Sequence, residues 1–240
     1  MQVVYIILQH TCTSLIVMYN CVMTQRTYNQ YCPMAHSLDL IGERWTLLII
    51  RNLFLGPKRF SDLLRSLPGI GTNILTDRLK SLEENDLVQN RFLPPPAASS
   101  VYELTPYGRT LEDVLIALAM WGAQSLGGRQ PDQLVMPDSL ALTIYVLFKP
   151  AAAKLSGTYA IKIEEESFNA NFGVMVQEGI ISVEQDLPRN PTLTLQFNLE
   201  TLGLFVTRQL ALKTAIATGI VTVDGLDSKI AGFVETFEGI

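Results

Sequence analysis

The chain has 240 residues, of which 48% are apolar, so it is long enough to bury two separate cores. Its three cysteines exclude a disulfide-stabilised scaffold, and their spacing suggests no metal site. The net charge of −5 is unevenly distributed: residues 23–126 carry ten basic and ten acidic side chains, whereas residues 127–240 carry eight and thirteen, which gives 8 − 13 = −5. The first part is therefore neutral, and the acidity belongs to the second part.

The first 22 residues are apolar but follow no helical or strand period. Polar residues interrupt the run too often for a membrane span. No Lys or Arg precedes Arg26, so the basic start of a signal peptide is missing. We expect translation to begin at Met23 and residues 1–22 to lie outside the folded part. The alternative is an added strand or helix that covers an apolar patch.

Residues 60–88 have the pattern of a short helix, a Pro-Gly turn and a longer helix. The second helix of such a unit fits the DNA major groove. One side of it is apolar, and the other carries short polar groups and a cation that suit base edges and phosphates. The alternative is a helical hairpin with a solvated face. The residues predicted to contact DNA, flanking cations included, are Lys58, Arg59, Thr72, Asn73, Thr76, Asp77, Arg78, Lys80 and Arg91.

A two-stranded ribbon is predicted directly after this segment. One strand ends at Arg91 and Phe92, and residues 101–104 form the return strand. The Pro- and Ser-containing stretch between them is a loop. A further helix begins at Thr105 or Pro106, where the missing N–H of proline costs nothing. Two helices followed by a ribbon make a winged helix.

Residues 31 to about 121 resemble the HxlR-type winged helix-turn-helix regulators of bacteria. The resemblance rests on three stretches in order, YCPMAHSLDLIGERWTLLIIRNLFLGPKRFSDLL, LPGIGTNILTDRLKSLEENDLV and YELTPYGRTL. It implies a DNA-binding homodimer that represses or activates nearby genes. A neutral domain binds non-specific DNA weakly, so a dimer that doubles the phosphate contacts is needed. The wing loop, LPPPAASS, lacks the basic residues that such wings often carry.

Cys32 lies just ahead of Pro33 and resembles the cysteine that some members of this family use to sense oxidants or electrophiles. His36, four residues further on, could in principle activate a thiolate there. The alternative is a plain thiol near a helix start, because the reactivity of a thiol depends on surroundings that a sequence does not show.

The helix predicted for residues 110–126 is apolar around most of its circumference. Such a helix must be covered on more than one side. One cover is its own domain, and the predicted second cover is another protomer. The alternative is that the C-terminal domain packs there. The predicted dimer interface consists of Leu38, Ile41, Leu111, Leu115, Leu118 and Trp121.

A glycine-rich stretch opens a predicted linker over residues 127–138, between a domain of residues 23–126 and a domain of residues 139–240. Beyond the linker, helical patterns predict helices over 139–148, 199–212 and 228–237, and alternation predicts strands over 159–164, 168–177, 181–183, 193–197 and 219–224. The fold class is thus a mainly α-helical winged helix followed by an α+β domain, with a mostly antiparallel five-stranded sheet and helices on one side.

Residues 193–237 resemble the lipid-binding domain of sterol carrier proteins. The resemblance rests on a strand that runs straight into a helix, then ALKTAIATGIVTVDG, then a terminal helix. It implies an apolar cavity between sheet and helices for a lipid-like or other hydrophobic ligand. The same side chains could instead form a packed core. The predicted pocket residues are Phe168, Phe172, Phe197, Leu202, Phe205 and Val206.

The sequence contains no nucleotide-binding, nucleophile-elbow or zinc-peptidase motif, so we expect neither an enzyme nor a cofactor or metal. It predicts a cytoplasmic transcriptional regulator that binds double-stranded DNA as a homodimer and responds to a small apolar molecule, without contact to a membrane. Two alternatives stay open. One is a lipid-binding or carrier protein whose winged helix is an interaction module, and the other is a redox-responsive regulator that works through Cys32.

Overall fold

Residues 27–238, except 97, 131 and 166–167, are described by a computed structural model. The expectation for residues 1–22 lies outside this part of the chain. Among the described helices, none is both long enough and apolar enough to cross a membrane.

The elements of the first half follow the predicted order. They are α1 (Pro33–Ile41), α2 (Thr46–Phe54), α3 (Phe60–Ser66), α4 (Thr72–Glu84), β1 (Val88–Leu93), β2 (Ser99–Leu104), α5 (Pro106–Arg109) and α6 (Glu112–Ala123). Pro33 and Pro106 lie in the first turns of their helices, where an N–H would have no partner within the helix. β1 and β2 pair antiparallel from Val88 opposite Leu104 to Leu93 opposite Ser99, so the wing strands are longer than predicted.

The junction between the wing and α5 is held by Thr105 and Gly108. The buried Thr105 hydroxyl donates to the carbonyl oxygen of Asp86 (2.5 Å) and accepts from the Gly108 N–H (2.9 Å). Gly108 lies so close to Leu87 that a Cβ would be only 2.0 Å from the Leu87 carbonyl oxygen. A residue without a side chain is therefore required where α5 meets the end of the helix-turn-helix.

The elements of the second half are α7 (Pro137–Phe148), β3 (Gly157–Glu165), β4 (Phe168–Gln177), β5 (Ile180–Glu184), β6 (Leu193–Phe197), α8 (Leu199–Val206), α9 (Leu212–Ala217), β7 (Thr222–Gly225) and α10 (Asp227–Glu238). The five strands form one sheet in the order β5-β4-β3-β6-β7. β3 and β6 are parallel, and the other three pairs are antiparallel. The predicted five-stranded, mostly antiparallel sheet is confirmed, and it is a mixed sheet.

The single helix predicted for residues 199–212 is wrong, because the structure has two helices there. α8 ends at Val206, and Arg208 adopts a left-handed backbone with φ of 56°. The Gln209 N–H then donates to the Leu204 carbonyl oxygen (2.9 Å), a bond that closes the end of the helix. Glycine is the usual residue at such a position, so the arginine found there does not indicate a turn. The last strand also begins later than predicted, at Thr222.

Two apolar cores support the two halves. In the second half, the side chains of β4 alternate between buried and more exposed positions, and α7, α8, α9 and α10 contribute to the core against the buried side of the sheet. In the first half, the core includes Ile49, Leu53, Leu75 and Leu79. Leu142 of α7 is buried in this first core, so a helix of the second half completes it.

Candidate DNA interface and effector cavity

The outward side of α4 is polar and exposed. Leu75, Leu79 and Leu82 are fully buried at three- and four-residue steps, which directs the opposite side of the helix to solvent. The predicted contact residues on that side are all exposed, and they are Thr72, Asn73, Thr76, Asp77 and Lys80. In the described structure no side chain caps the first turn of α4, which Gly71 precedes. Its N–H groups are therefore suited to a phosphate.

Several predicted DNA-binding cations are held in contacts within the chain. Arg78 pairs with Glu43 (3.0 Å), and Arg91 makes two hydrogen bonds of 2.8 Å to the carboxylate of Glu103. The hydrogen bonds between them raise the pKa of Arg91 and lower that of Glu103. The cation least engaged is Lys80, which is 74% exposed and 3.7 Å from Glu84. Arg59 lies between these cases, since its Nε donates to the Ser99 hydroxyl (3.1 Å).

Lys58 is turned toward the second half of the chain. Its ammonium group lies 2.8 Å from the carboxylate of Asp138, which is nearly buried. The same carboxylate oxygen accepts a hydrogen bond from the side-chain amide of Gln185 (2.7 Å). Lys58 is therefore engaged within the chain in this structure, and its contact with DNA stays a prediction.

Two exposed apolar side chains near the DNA face were missed by the sequence reasoning. Ile74 of α4 is 42% exposed and Phe92 of the wing is 67% exposed. The signal for Ile74 is present in the sequence, because it falls outside the spacing of the buried leucines. Phe92 lies opposite Ser100 in the ribbon, so its cross-strand partner is a small polar residue that does not cover the ring.

The apolar residues of α6, together with Leu111 just before it, lie on more than one side of the helix. Leu115 is buried in the first core and Leu111 packs against that core. Val114, Leu118 and Trp121 form an exposed stripe, in which Trp121 is 70% exposed. Of the predicted dimer residues, Leu38 of α1 is also exposed. Ile41 and Leu115 lie in the chain's own core, so they are not available to a second protomer in this structure.

A polar cluster joins α6 to α7. Glu112 accepts hydrogen bonds from the Tyr145 hydroxyl (2.7 Å) and from the Lys149 ammonium group. Burial alone would raise the pKa of Glu112, but the hydrogen bonds from Lys149 and Tyr145 lower it. The hydrogen bond to Glu112 raises the pKa of Lys149. Tyr145 also packs edge-on against Phe54 of α2, with ring centroids 5.2 Å apart.

A cavity of about 790 Å³ lies between the sheet and the helices of the second half. Three of the predicted pocket residues line it, namely Phe197, Phe205 and Val206. Leu202 is buried in the adjacent core, and Phe168 and Phe172 line a separate, smaller pocket of about 480 Å³. The wall also includes residues that the sequence did not indicate: Ile116, Met120, Ile144, Phe148, Lys149, Arg208, Lys213 and Phe233.

Cys32 precedes α1 and is half-buried. The contact that the structure shows between Cys32 and His36 joins main-chain atoms, the His36 N–H and the Cys32 carbonyl oxygen, at 2.9 Å. It is the ordinary first bond of a helix and gives the thiol no activating partner. Sensing through Cys32 stays a prediction.

Comparison with known proteins assigns each half separately. Residues 40–130 match the HxlR-like helix-turn-helix family, and residues 148–236 match the SCP-2 sterol transfer family. The HTH-type transcriptional regulator YodB of Bacillus subtilis is 38% identical over 97 residues, which are 40% of this chain and 87% of YodB. The regulator sll1512 of Synechocystis is 38% identical over 95 residues, 40% of this chain and 70% of that protein.

Among solved structures, the reduced form of YodB shares 35% sequence identity and covers 42% of this chain and all of that chain, with a TM-score of 0.36. Both curated relatives are matched over more than two thirds of their own length by the first half of the chain. The chain therefore belongs to the HxlR-like helix-turn-helix family of transcriptional regulators, and it carries a C-terminal SCP-2-type region in addition.

Proposed function

We propose that this protein is a transcriptional regulator that binds double-stranded DNA as a homodimer and changes its affinity for DNA when a small apolar molecule occupies the cavity. The observation that carries the proposal is the outward side of α4. Exposed polar side chains there lie opposite three buried leucines, in a chain whose relatives are HTH-type transcriptional regulators.

Sequence-specific contacts are best supported at the start of α4. An asparagine can make two hydrogen bonds to an adenine edge in the major groove, and Asn73 is exposed in the first turn of the helix. Thr76, one turn further on, is exposed and donates its hydroxyl to the Thr72 carbonyl oxygen (2.9 Å). Lys80 has only a distant partner, so it can turn to a phosphate at little cost.

Dimerisation is supported by two independent features. Several cations are used within the chain, so one protomer offers few phosphate contacts and a second protomer is needed to double them. The stripe of Val114, Leu118 and Trp121 is exposed apolar surface on one side of one helix. A contiguous apolar patch of this kind commonly marks a protein–protein interface.

The response to an apolar molecule is supported by the cavity and by its connections. A volume of about 790 Å³ lies in the range of small-molecule sites, roughly 300–1,000 Å³. Lys58–Asp138 and Glu112–Tyr145 join the half that holds the cavity to the half that holds α4. An effector acts only if it binds two states of the dimer with different affinity, so the cavity must differ between the DNA-bound and the free dimer.

The test is an electrophoretic shift of DNA from upstream of the protein's own gene, at several salt concentrations. We expect a shifted complex that tolerates more salt than a complex with scrambled DNA of equal length. cis-Parinaric acid, a fluorescent fatty acid, serves as the probe for the cavity. We expect it to bind the full chain and to change the midpoint of the DNA titration.

Two other outcomes would contradict parts of the proposal. Binding of the fatty acid without binding of any DNA would favour the carrier alternative. Loss of the DNA complex on treatment with a thiol oxidant, abolished by Cys32→Ser and independent of the fatty acid, would favour the redox alternative. If neither DNA were shifted, the chain would not bind DNA under these conditions, and the proposed role as a regulator would be contradicted.

A further inference from the structure

Helix α6 contributes to the wall of the cavity although it belongs to the winged-helix half. We infer that the effector site is a composite of both halves, and that an apolar effector acts on dimerisation directly through α6. The inference rests on the proposed function and adds the location of the effector contact and the route of its action. Neither the helix-turn-helix match nor the sterol-transfer match spans both parts of this site.

The first step is the arrangement of side chains around α6. Ile116 and Met120, four residues apart, point into the cavity. At 3.6 residues per turn, Leu118 and Trp121 fall on roughly the opposite side of the helix, and both are exposed. The cavity side and the stripe proposed for dimerisation are therefore two sides of one rigid element.

The second step is the attachment of α6 to the second half. Glu112 precedes Ile116 by one turn on the same side of the helix. It accepts hydrogen bonds from Tyr145 of α7 and from Lys149, which directly follows α7. α6 also packs against α8, whose Phe205 and Val206 line the same cavity. The helix is thus fixed to the C-terminal half at its start and along its cavity side.

The third step is the chemistry of the site. Ile116 and Met120 add apolar surface to a wall that is otherwise built from α7 and the SCP-2-type region. Methionine is flexible and adapts its shape to a bound group. A ligand that fills the cavity must contact this wall, and the position of α6 then depends on whether the cavity is filled.

The consequence is a short route from ligand to dimer. A displacement of α6 by the ligand moves Leu118 and Trp121 with it, because a helix shifts as a unit. The coupling is reciprocal: a ligand that changes the dimer dissociation constant must bind the dimer and the monomer with different affinities.

The experiment titrates the full-length protein with cis-parinaric acid and follows its fluorescence. Met120→Trp fills the cavity from the α6 side, and Ile220→Trp is the matched control, with the same new side chain at an exposed apolar site outside both the cavity wall and α6. We expect Met120→Trp to weaken the Kd at least tenfold and Ile220→Trp to leave it within twofold of the wild-type value. Equal Kd values for Met120→Trp and wild type would overturn the composite site.

A gentler variant guards against misfolding of Met120→Trp. Met120→Ala removes apolar contact without adding volume, and we expect it to weaken the fatty acid roughly three- to tenfold. An unchanged Kd for Met120→Ala overturns the inference whatever the larger substitution does. Failure of the wild-type chain to bind the fatty acid would overturn the effector part of the proposed function as well, so the two failures are distinguishable.

The coupling has its own measurement. Sedimentation velocity gives the dimer dissociation constant of the wild-type chain with and without saturating cis-parinaric acid. We expect a change of at least fivefold in wild type and a smaller change in Met120→Ala at equal saturation. A fatty acid that binds through Met120 but leaves the dimer dissociation constant unchanged would overturn the route through α6.

Discussion

The ammonium group of Lys58 lies 2.8 Å from the nearly buried carboxylate of Asp138, and this ion pair joins the two halves of the chain. The backbone of Lys58 is itself bonded to the wing: its N–H donates to the Tyr102 carbonyl oxygen (2.9 Å) and its carbonyl oxygen accepts from the Tyr102 N–H (2.7 Å). Gln185 donates to the same carboxylate (2.7 Å). Asp138 of α7 and Gln185, which directly follows β5, therefore hold the segment at Lys58, and this segment is paired with strand β2 of the wing.

Loss of the Asp138 carboxylate should destabilise the protein. Asp138→Ala leaves Lys58 and Gln185 without their acceptor, and an unsatisfied buried donor costs about 1–3 kcal/mol. We expect a decrease of about that size in the free energy of unfolding, measured by urea denaturation. Asp132→Ala, at an exposed acidic position in the connection between the halves, is the matched control. Equal stability of the two variants would mean that the ion pair contributes nothing.

The cluster around Glu112 should make stability depend on pH. Although burial opposes it, the hydrogen bonds from Lys149 and Tyr145 lower the pKa of Glu112 in the folded chain. A lowered folded-state pKa gives stability that is present above the unfolded-state value, about 4.3, and is lost as the pH falls through the folded-state value. Glu112→Gln should therefore lower the melting temperature at pH 7 and have a smaller effect near the acid limit of folding.

Thermal melts of wild type and Glu112→Gln at several pH values measure this difference. Glu200→Gln is the matched control, because Glu200 is also in the first turn of a helix but is exposed. A constant gap between wild type and Glu112→Gln across the whole range would show that the carboxylate charge of Glu112 does not matter.

Local patterns in the sequence are sufficient for most elements of the fold. β4 is predicted with its observed bounds because only one side of the sheet is buried, so Phe172 and Val174 alternate with exposed neighbours. The Pro-Gly turn between α3 and α4 likewise separates two helices whose buried leucines follow the helical period. The break after α8 could not be predicted, because Arg208 adopts a left-handed backbone conformation and arginine is not a residue type that indicates one.

Contacts between the two halves could not be predicted in the same way. Lys58 and Asp138 are 80 residues apart, and a lysine beside a helix-turn-helix is equally suited to a phosphate. The pattern of α6 shows that several sides must be covered, but it does not show by what. The structure covers one side with the first core and a second, at Ile116 and Met120, with the C-terminal half, and it leaves the stripe with Trp121 exposed.

A charge in this stripe should separate the protomers. Leu118 is 45% exposed in the single chain, so Leu118→Glu costs little within one protomer but places a carboxylate in the proposed interface. We expect sedimentation to show mainly monomers, weaker binding of operator DNA, and an unchanged far-ultraviolet circular dichroism spectrum.

Ile220→Glu is the control for a charge added at an exposed apolar site, since Ile220 is 47% exposed outside α6. It should remain dimeric and keep its DNA affinity. Dimers of unchanged stability in Leu118→Glu would place the interface elsewhere.

Two residues of α4 should affect DNA binding in different ways. Asn73 lies in the first turn, within reach of base edges, so Asn73→Ala should cost about 1–3 kcal/mol and relax the preference at one or two base positions. Lys80 lies two turns further on and is exposed, so Lys80→Ala should weaken binding to all sequences alike. It should also lower the magnitude of the slope of log K against log salt by about one for each protomer's contact.

Both variants are titrated with operator and scrambled DNA at several salt concentrations, because only this comparison separates base contacts from phosphate contacts. An equal loss on both DNAs for Asn73→Ala would mean that the residue does not recognise sequence. If neither variant changed binding, the exposed side of α4 would be merely solvated. Since that side of the helix carries the proposed function, DNA binding by this chain would then have to be sought elsewhere or abandoned.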